Sequence, residues 1–280
     1  MKKIIVPVDF SKHSEYALEA AAIIAKKYGA ELLALHMLEL SSVHAYGSES
    51  ENEHLGKAIF YIKLAEKKFS EFLKQDFLNG VSITPIVRHF KVFAELSEVA
   101  KEHDVDLIVM GSKGTSGLNE FFVGSNTERV VRHSDIPVLV IKNKPTNLSF
   151  DRVVFASDFS EEAVKPYIKA SKFLGQMGSN LQLLYVNVPG ESFKTSTEME
   201  EKLNQFLLKA NGNLNKLNDV HYVADTSVEK GILNFARKIN ADLTVIPTHG
   251  RTGLAHFFEG SISEDLANHS NRPVMTFKIG

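Results

Sequence analysis

Glycine and hydroxyl residues cluster after an apolar run in the first half of the chain. Met110 and Gly111 end that run, Gly114 follows three residues later, and Gly124 directly precedes Ser125. Glycine allows positive φ and close backbone approach, so successive amide groups can point at one anion. A helix that begins at Gly124 and Ser125 would add unpaired N–H groups and a favourable dipole. The spacing therefore predicts a loop that holds phosphate groups.

This segment matches neither of the two common glycine motifs of nucleotide-binding proteins. It lacks the Gly-Lys-Ser/Thr ending of a P-loop, and it lacks the Gly-x-Gly-x-x-Gly pattern of dinucleotide-binding proteins. A purely structural interpretation therefore stays open, in which the glycines only shape a surface loop and Ser125 is an ordinary helix N-cap. Lys113 has the same two interpretations, as a charge for phosphate or as an exposed loop lysine.

Apolar periodicity predicts alternating strands and helices around this loop. Such alternation is typical of βαβ units in a parallel sheet, whose right-handed crossovers place helices on both faces. Gly29 is expected to end the first helix. In the first half, the pattern predicts strands at 3–8, 31–38, 81–90, 106–110 and 136–142, and helices at 14–28, 53–77, 92–103 and 125–134.

Asp9 and Gly111 each directly follow a predicted strand. Ligands of open α/β sheets bind beyond the carboxyl ends of the strands, where the strand order reverses. Both residues are therefore expected at the ligand-binding edge, and Asp9 is the only acidic candidate there. The sequence places no general base against the glycine loop, so no catalytic residue is predicted.

The second half of the chain repeats the first. Residues 3–11 align with 152–160, and residues 114–138 align with 250–274 without a gap. A repeat of this length predicts tandem copies of one supersecondary plan. In the second half, strands are predicted near 152–157, 181–187, 219–224, 242–247 and 272–278, and helices near 160–175, 195–217, 228–239 and 261–269.

Two domains follow from the repeat, at residues 1–143 and 150–280. The polar join that contains Pro145 is too short for a long flexible tether, so the domains are expected to pack on each other. The polar stretch 41–53, rich in serine and glutamate, is expected to be the extra loop that makes the first copy longer.

Composition excludes several classes of function. The chain of 280 residues contains no cysteine, which excludes disulfides, thiolate metal sites and cysteine nucleophiles. Its net charge of −2 predicts neither nucleic acid nor an anionic membrane as a partner. The apolar runs are shorter than the ~18 residues that span a bilayer. Its 11 histidines include no pair at metal-ligand spacing, so no metal site is predicted.

In combination, these motifs resemble the universal stress protein family in its two-domain tandem form. Gly111-x2-Gly114-x9-Gly124-Ser125 is similar to the family's ATP-binding signature, and the closing strand at 136–140 also matches. The resemblance covers essentially the whole chain. It implies an α/β fold with two tandem doubly wound parallel-sheet domains, Rossmann-like or adenine nucleotide α-hydrolase-like, each with five strands in the order 3-2-1-4-5.

The resemblance also implies a ligand and a set of contacts. The ligand would be ATP, ADP or AMP, and Mg²⁺ held by phosphate oxygens and water is a further implied component. Asp9, with the backbone of Pro7 and Val8, would contact the ribose or adenine end, and Met37 would pack on the adenine. Met110 and Gly111 would lie beside the ribose and the first phosphate. The residues that would hold the phosphates are Gly114, Gly124, Ser125 and Asn126.

The second copy matches the signature less well. Pro247 stands in the place of Gly111, where it fixes φ at about −65° and removes an amide donor. Ala156 and Ser157 replace the first two contact residues, whereas Asp158 and three loop residues (Gly250, Gly260 and Ser261) remain. One nucleotide per chain is therefore expected, in the first domain. His249 and Arg251 leave open a different anion in the second.

Three hypotheses for function stay open. The resemblance implies a cytoplasmic stress-response protein that binds ATP and signals through assembly or an unidentified partner. It also implies a homodimer, and domains that pair through their last strands at 136–142 and 272–279. The second hypothesis is a slow ATPase or another adenine nucleotide hydrolase, which the fold permits without assigning. The third is an interaction module whose pocket is empty or holds another small ligand.

Overall fold

The computed structural model describes residues 1–38, 51–89, 92–112, 125–146, 148–190, 193–248 and 272–279. Of the predicted loop at 41–53, residues 41–50 lie outside these ranges and residues 51–53 are instead helical, as is the whole segment up to Phe72. The predicted helix at 261–269 lies outside the described ranges. The strands are β1 (Lys3–Pro7), β2 (Glu31–Leu38), β3 (Ile83–His89), β4 (Leu107–Gly111), β5 (Val138–Ile141), β6 (Arg152–Ala156), β7 (Asn180–Asn187), β8 (Val220–Ala224), β9 (Leu243–Thr248) and β10 (Val274–Lys278). The helices are α1 (Lys12–Tyr28), α2 (Glu51–Phe72), α3 (Val92–Glu102), α4 (Ser125–His133), α5 (Val164–Gly175), α6 (Ser196–Asn211) and α7 (Val228–Lys238).

The strands form one sheet in the order β3-β2-β1-β4-β5-β10-β9-β6-β7-β8. Each half has its strands in the predicted order 3-2-1-4-5, and the described pairs within each half are parallel. The halves join where β10 pairs antiparallel with β5, with Met275 opposite Leu139. The expected α/β fold and the pairing of the last strands are therefore both confirmed.

Helices cover both faces of the sheet because the strand residues alternate between two buried layers. In β1, Ile4 lies in the layer that also contains α1 and Phe69 of α2, whereas Ile5 lies in the layer that contains Leu96 of α3 and Val131 of α4. A strand covered on both faces reads as a continuous apolar run, as β1, β4 and β5 do.

Local capping explains where the helices begin and end. Ser11 caps α1 by accepting a hydrogen bond from the Ser14 amide at 3.2 Å, and Gly29 ends it with a φ of 67°. Gly212, with a φ of 70°, ends α6 earlier than periodicity predicted. The second helix also ends early, because a 3₁₀ turn at Asp76–Leu78 follows it and buries Leu78. Within the described ranges, no helix is long and apolar enough to cross a bilayer.

Candidate functional site

Six of the predicted site residues lie together at the carboxyl edge of the first half of the sheet. They follow or end three neighbouring strands, β2, β1 and β4. The chain leaves β1 toward β2 on one side and reaches β4 on the other, so the strand order reverses between β1 and β4. A crevice at such a reversal is the usual ligand position in an open α/β sheet. The six residues are Pro7, Val8, Asp9, Met37, Met110 and Gly111.

Helix α4 brings two further predicted residues to this edge. Ser125 and Asn126 are its first residues, and Asn126 is exposed. The Thr127 hydroxyl donates to the Gly111 backbone oxygen at 2.9 Å, which ties the first turn of α4 to the end of β4. The first N–H groups of α4 have no partner within the helix, so an anion is favoured at this end. Gly114 and Gly124 lie outside the described residues.

The turn between β1 and α1 places Asp9. Its Oδ1 accepts a hydrogen bond from the Ser11 amide at 3.0 Å. Phe10 between them has a φ of 63°, which is uncommon for a residue with a Cβ and indicates local strain. The carboxylate therefore stabilises the tight turn that joins β1 to α1.

The second copy repeats this turn. Oδ1 of Asp158 accepts from the Ser160 amide at 3.1 Å, and Phe159 has a φ of 53°. The Asp158 carboxylate also lies 3.6 Å from the ammonium group of Lys202 on α6. The retained aspartate thus has a structural role in both copies, and its presence alone is weak evidence of a ligand.

Gly111 is required by a close approach that the sequence did not reveal. A Cβ on Gly111 would lie 2.6 Å from the backbone oxygen of His13, in the first turn of α1. Positive φ is found at other glycines of the described chain and not at Gly111, so conformational freedom is not the reason for glycine here. Packing against α1 accounts for this glycine without a ligand.

His36 is a site residue that sequence reasoning missed. Its Nδ1 lies 2.7 Å from the Val8 backbone oxygen, and because a carbonyl only accepts, Nδ1 carries the proton. Burial lowers the pKa of His36, while the Val8 carbonyl and the Asp9 carboxylate oppose that shift. The neutral His36 ring therefore holds Val8, the residue before Asp9, by donating a hydrogen bond to it. Its place beside Met37 at the end of β2 was the available signal.

An aromatic cluster forms one wall beside His36. The Phe10 ring lies 4.5 Å from the His36 ring, and 5.4 and 5.5 Å from the rings of Phe69 and Phe72 on α2. These contacts pack the second helix onto the strained turn. This cluster packs in the layer of α1 and α2, whereas Met37 packs in the opposite layer with α3 and α4. Met37 and α4 thus combine an apolar side chain and a helix N-terminus on the same face of the sheet, which suits a ligand with one apolar ring and one anionic end.

No protein-bound metal is indicated on the described part of the chain. There, no three histidine, aspartate or glutamate side chains are grouped closely enough to hold an ion. The residues present fit anion binding, because α4 begins at the edge and Thr127 fixes its position.

The fold and this edge define a duplicated, doubly wound α/β protein of the Rossmann-like class. The sequence profile of the universal stress protein family matches residues 1–142 and again residues 149–278. The chain belongs to the universal stress protein family, in its tandem form.

The relatives described here match about half of the chain. Universal stress protein MJ0531 of Methanocaldococcus jannaschii is 33% identical over 149 residues, which are 50% of this chain and 82% of that protein. Universal stress protein YxiE of Bacillus subtilis is 32% identical over 152 residues, which are 50% of this chain and 98% of that protein.

Solved structures match the whole length of the chain. The universal stress protein from Archaeoglobus fulgidus DSM 4304 covers 99% of this chain and 96% of its own, with a TM-score of 0.62 and 24% identity. A universal stress protein from Pseudomonas aeruginosa UCBPP-PA14 covers 99% and 93%, with a TM-score of 0.59 and 16% identity. At this identity the likeness is one of fold.

Proposed function

We propose that this chain is a stress-response protein that binds one adenine nucleotide, ATP in the first instance, at the carboxyl edge of β1 and β4. The observation that carries the proposal is the anchoring of the first turn of α4 on the end of β4, through Thr127 and Gly111. The start of α4 would thus lie at the end of β4, the strand next to the one that Asp9 follows. The match to the family's glycine signature supports phosphate as the anion at that end.

The geometry suggests how each end of ATP would be held. Asp9 is an acceptor-only group when ionised, which suits ribose hydroxyls. Met37, which packs in the layer of α3 and α4, would offer an apolar surface to the adenine ring. The phosphates would lie over the start of α4, where Ser125 and Asn126 would join Gly114 and Gly124. Mg²⁺ would supply charge neutralisation between phosphates.

We also propose that the second copy binds no nucleotide. This copy has Pro247 at the end of β9, which has no N–H to offer a phosphate. Its aspartate lies 3.6 Å from the Lys202 ammonium, which would compete with a ligand for the carboxylate. The domains of this proposal are residues 1–143, with the complete loop, and residues 150–280, with the degraded one. The second domain serves chiefly as a packing partner.

Signalling would follow from nucleotide-dependent assembly or partner binding, and we propose a cytoplasmic homodimer as its unit. Within one chain, β5 and β10 already pair with each other, so the outer strands of the sheet are β3 and β8. Pro85 in β3 disfavours pairing of that edge with another strand. Light scattering after size exclusion, with and without ATP, tests the dimer and its dependence on nucleotide.

Identification of the bound nucleotide tests the central proposal. The protein is purified under native conditions and denatured, and the released small molecules are identified by mass spectrometry. We expect ATP or ADP at one per chain, and calorimetric binding of ATP to the stripped protein with the same stoichiometry. Release of no nucleotide, together with no heat on ATP addition, would leave the interaction-module hypothesis. Turnover well above background that is lost in Asp9→Ala would favour the hydrolase.

A further inference from the structure

Helix α4 extends from the candidate site in the first copy to the surface of the second copy. Its first turn is bonded to the end of β4 through Thr127. Near its other end, the Val131 backbone oxygen accepts from the Thr248 hydroxyl of β9 at 3.4 Å, and the His133 backbone oxygen accepts from the Lys278 ammonium at 3.2 Å. One short helix is therefore held at its start by the first copy and at its end by the second.

Lys278 lies where a cation is most effective for a helix. The last carbonyl groups of a helix have no partner within it, and a lysine ammonium there satisfies one of them and opposes the negative end of the dipole. Lys278 also lies 3.0 Å from Oδ1 of Asp135, just beyond the helix. Thr248 is fully buried, so its contact with α4 is shielded from water.

The length of α4 makes these contacts matter for the site. The helix has nine residues, whereas isolated helices shorter than about 12 residues are marginal in water. Its N–H groups point at one anion only while the following turns keep their helical geometry. Loss of the contacts at its end would therefore disorder the anion-binding end more often.

We propose that Lys278 and Thr248 of the second copy are positioning residues for the nucleotide site of the first copy, because they stabilise the end of α4 whose beginning holds phosphate. The inference rests on the proposed function. The second copy would then affect the ATP affinity of the first copy without binding a ligand itself. By the reciprocity of coupled equilibria, bound ATP would in turn stabilise the contact between the copies.

The test compares two variants that lose the same ion pair. Lys278→Met removes both the pair with Asp135 and the bond to the His133 oxygen, whereas Asp135→Asn removes only the pair. ATP affinity is measured by calorimetry, the melting temperature by scanning calorimetry, and the order of α4 by amide hydrogen exchange without nucleotide. Lys278→Arg tests rescue by another cation, and Thr248→Val tests the second contact.

We expect Lys278→Met to weaken ATP binding about two- to fivefold, the usual range for a charge at a helix end, and to speed exchange in α4. Asp135→Asn should leave the ATP affinity and the exchange rate of α4 unchanged, and Lys278→Arg should show wild-type values of both quantities. The inference is overturned if Lys278→Met binds ATP like the wild type, or if Asp135→Asn weakens binding as much. A wild-type protein that binds no ATP overturns the proposed function, whereas unaltered exchange of α4 in Lys278→Met overturns this inference independently of any ligand.

Discussion

Gly111 lies so close to His13 that a Cβ on the glycine would be 2.6 Å from the His13 backbone oxygen and 2.7 Å from its carbonyl carbon. Both atoms belong to the main chain of α1, so no side-chain rotation can relieve the overlap. In the second copy, Pro247 occupies this position, and a 3₁₀ turn at Glu161–Ala163 precedes α5 in place of a regular first turn. In the second copy, a side chain at the position of Gly111 thus accompanies a different start of the helix that follows the first strand.

Gly111→Ala is expected to destabilise the protein. The added methyl group forces β4 and α1 apart, and overpacking of this kind costs about 1–3 kcal/mol of unfolding free energy. Urea denaturation followed by circular dichroism measures the change. Gly175→Ala is the matched control, because a Cβ there would meet nothing within 4 Å. Equal stability of Gly111→Ala and the wild type would show that α1 moves aside freely.

Replacement of Asp9 and Asp158 separates the structural role of this aspartate from ligand binding. Each carboxylate accepts a hydrogen bond from the backbone amide two residues later, at 3.0 Å for Asp9 and 3.1 Å for Asp158. Alanine at either position should therefore lower the stability by a similar amount. Only Asp9 is proposed to contact nucleotide. Loss of a hydrogen bond to a charged group costs about 1.5–3 kcal/mol, so Asp9→Ala should weaken ATP binding about 10- to 100-fold.

Calorimetric titration of ATP into the two alanine variants makes this comparison, with melting temperatures measured in parallel. Asp158→Ala is the control, and its ATP affinity should match the wild type within about twofold. Equal losses of affinity in both variants would indicate a general effect of the turn. An unchanged affinity in Asp9→Ala would remove this residue from the site.

Local signals in the sequence predicted most of the framework. The second strand was predicted with its observed bounds, and Gly29 was correctly predicted to end α1, because apolar runs and capping glycines act over a few residues. The family resemblance implied the strand order 3-2-1-4-5, and the internal repeat extended it to both halves. The repeat also shows Pro247 in the place of a glycine.

Contacts between distant segments could not be predicted in the same way. The close approach of Gly111 to α1 and the bond from His36 to the Val8 oxygen depend on how three elements meet in space. The same holds for the contact of Lys278 with the end of α4. Sequence spacing indicated which residues reach the carboxyl edge, and only the packing showed which of them have structural partners already.

His36 predicts a dependence of stability on pH. Burial lowers its pKa in the folded protein, so between that value and about 6.5 the unfolded chain binds a proton that the folded protein does not. The stability associated with neutral His36 is therefore present above about pH 6.5 and is lost as the pH falls below it. The wild type should lose more stability than His36→Gln between about pH 7.5 and about pH 5.5.

Urea denaturation at the two pH values measures this difference. Burial also lowers the pKa of His221, but that residue is present in both proteins, so its effect cancels in the comparison. Glutamine keeps an N–H donor for the Val8 oxygen, which limits the direct loss of stability. Equal pH dependence of the two proteins would show that His36 titrates normally in the fold.

Lys142 and Lys278 hold equivalent positions at the ends of β5 and β10, and we expect methionine at the two positions to have opposite effects. Burial lowers the pKa of Lys142 from 10.5 to about 8. At neutral pH its ammonium is thus less favourable in the folded state than in the unfolded chain. Lys142→Met should raise the free energy of unfolding by roughly 1 kcal/mol, whereas Lys278→Met should lower it, because the ammonium of Lys278 binds Asp135 and the end of α4.

The sign of the pH dependence distinguishes this cause from simple repacking. Between about pH 8 and 10.5 the unfolded chain keeps the Lys142 proton that the folded protein has released, so wild-type stability rises with pH in that window. The advantage of Lys142→Met should therefore be largest at neutral pH and should shrink as the pH rises through the window. Urea denaturation at neutral and alkaline pH measures both variants against the wild type. If Lys142→Met has the same stability advantage at both pH values, the gain in stability comes from packing. If Lys142→Met is less stable than the wild type at neutral pH, an interaction of Lys142 outweighs the cost of its burial.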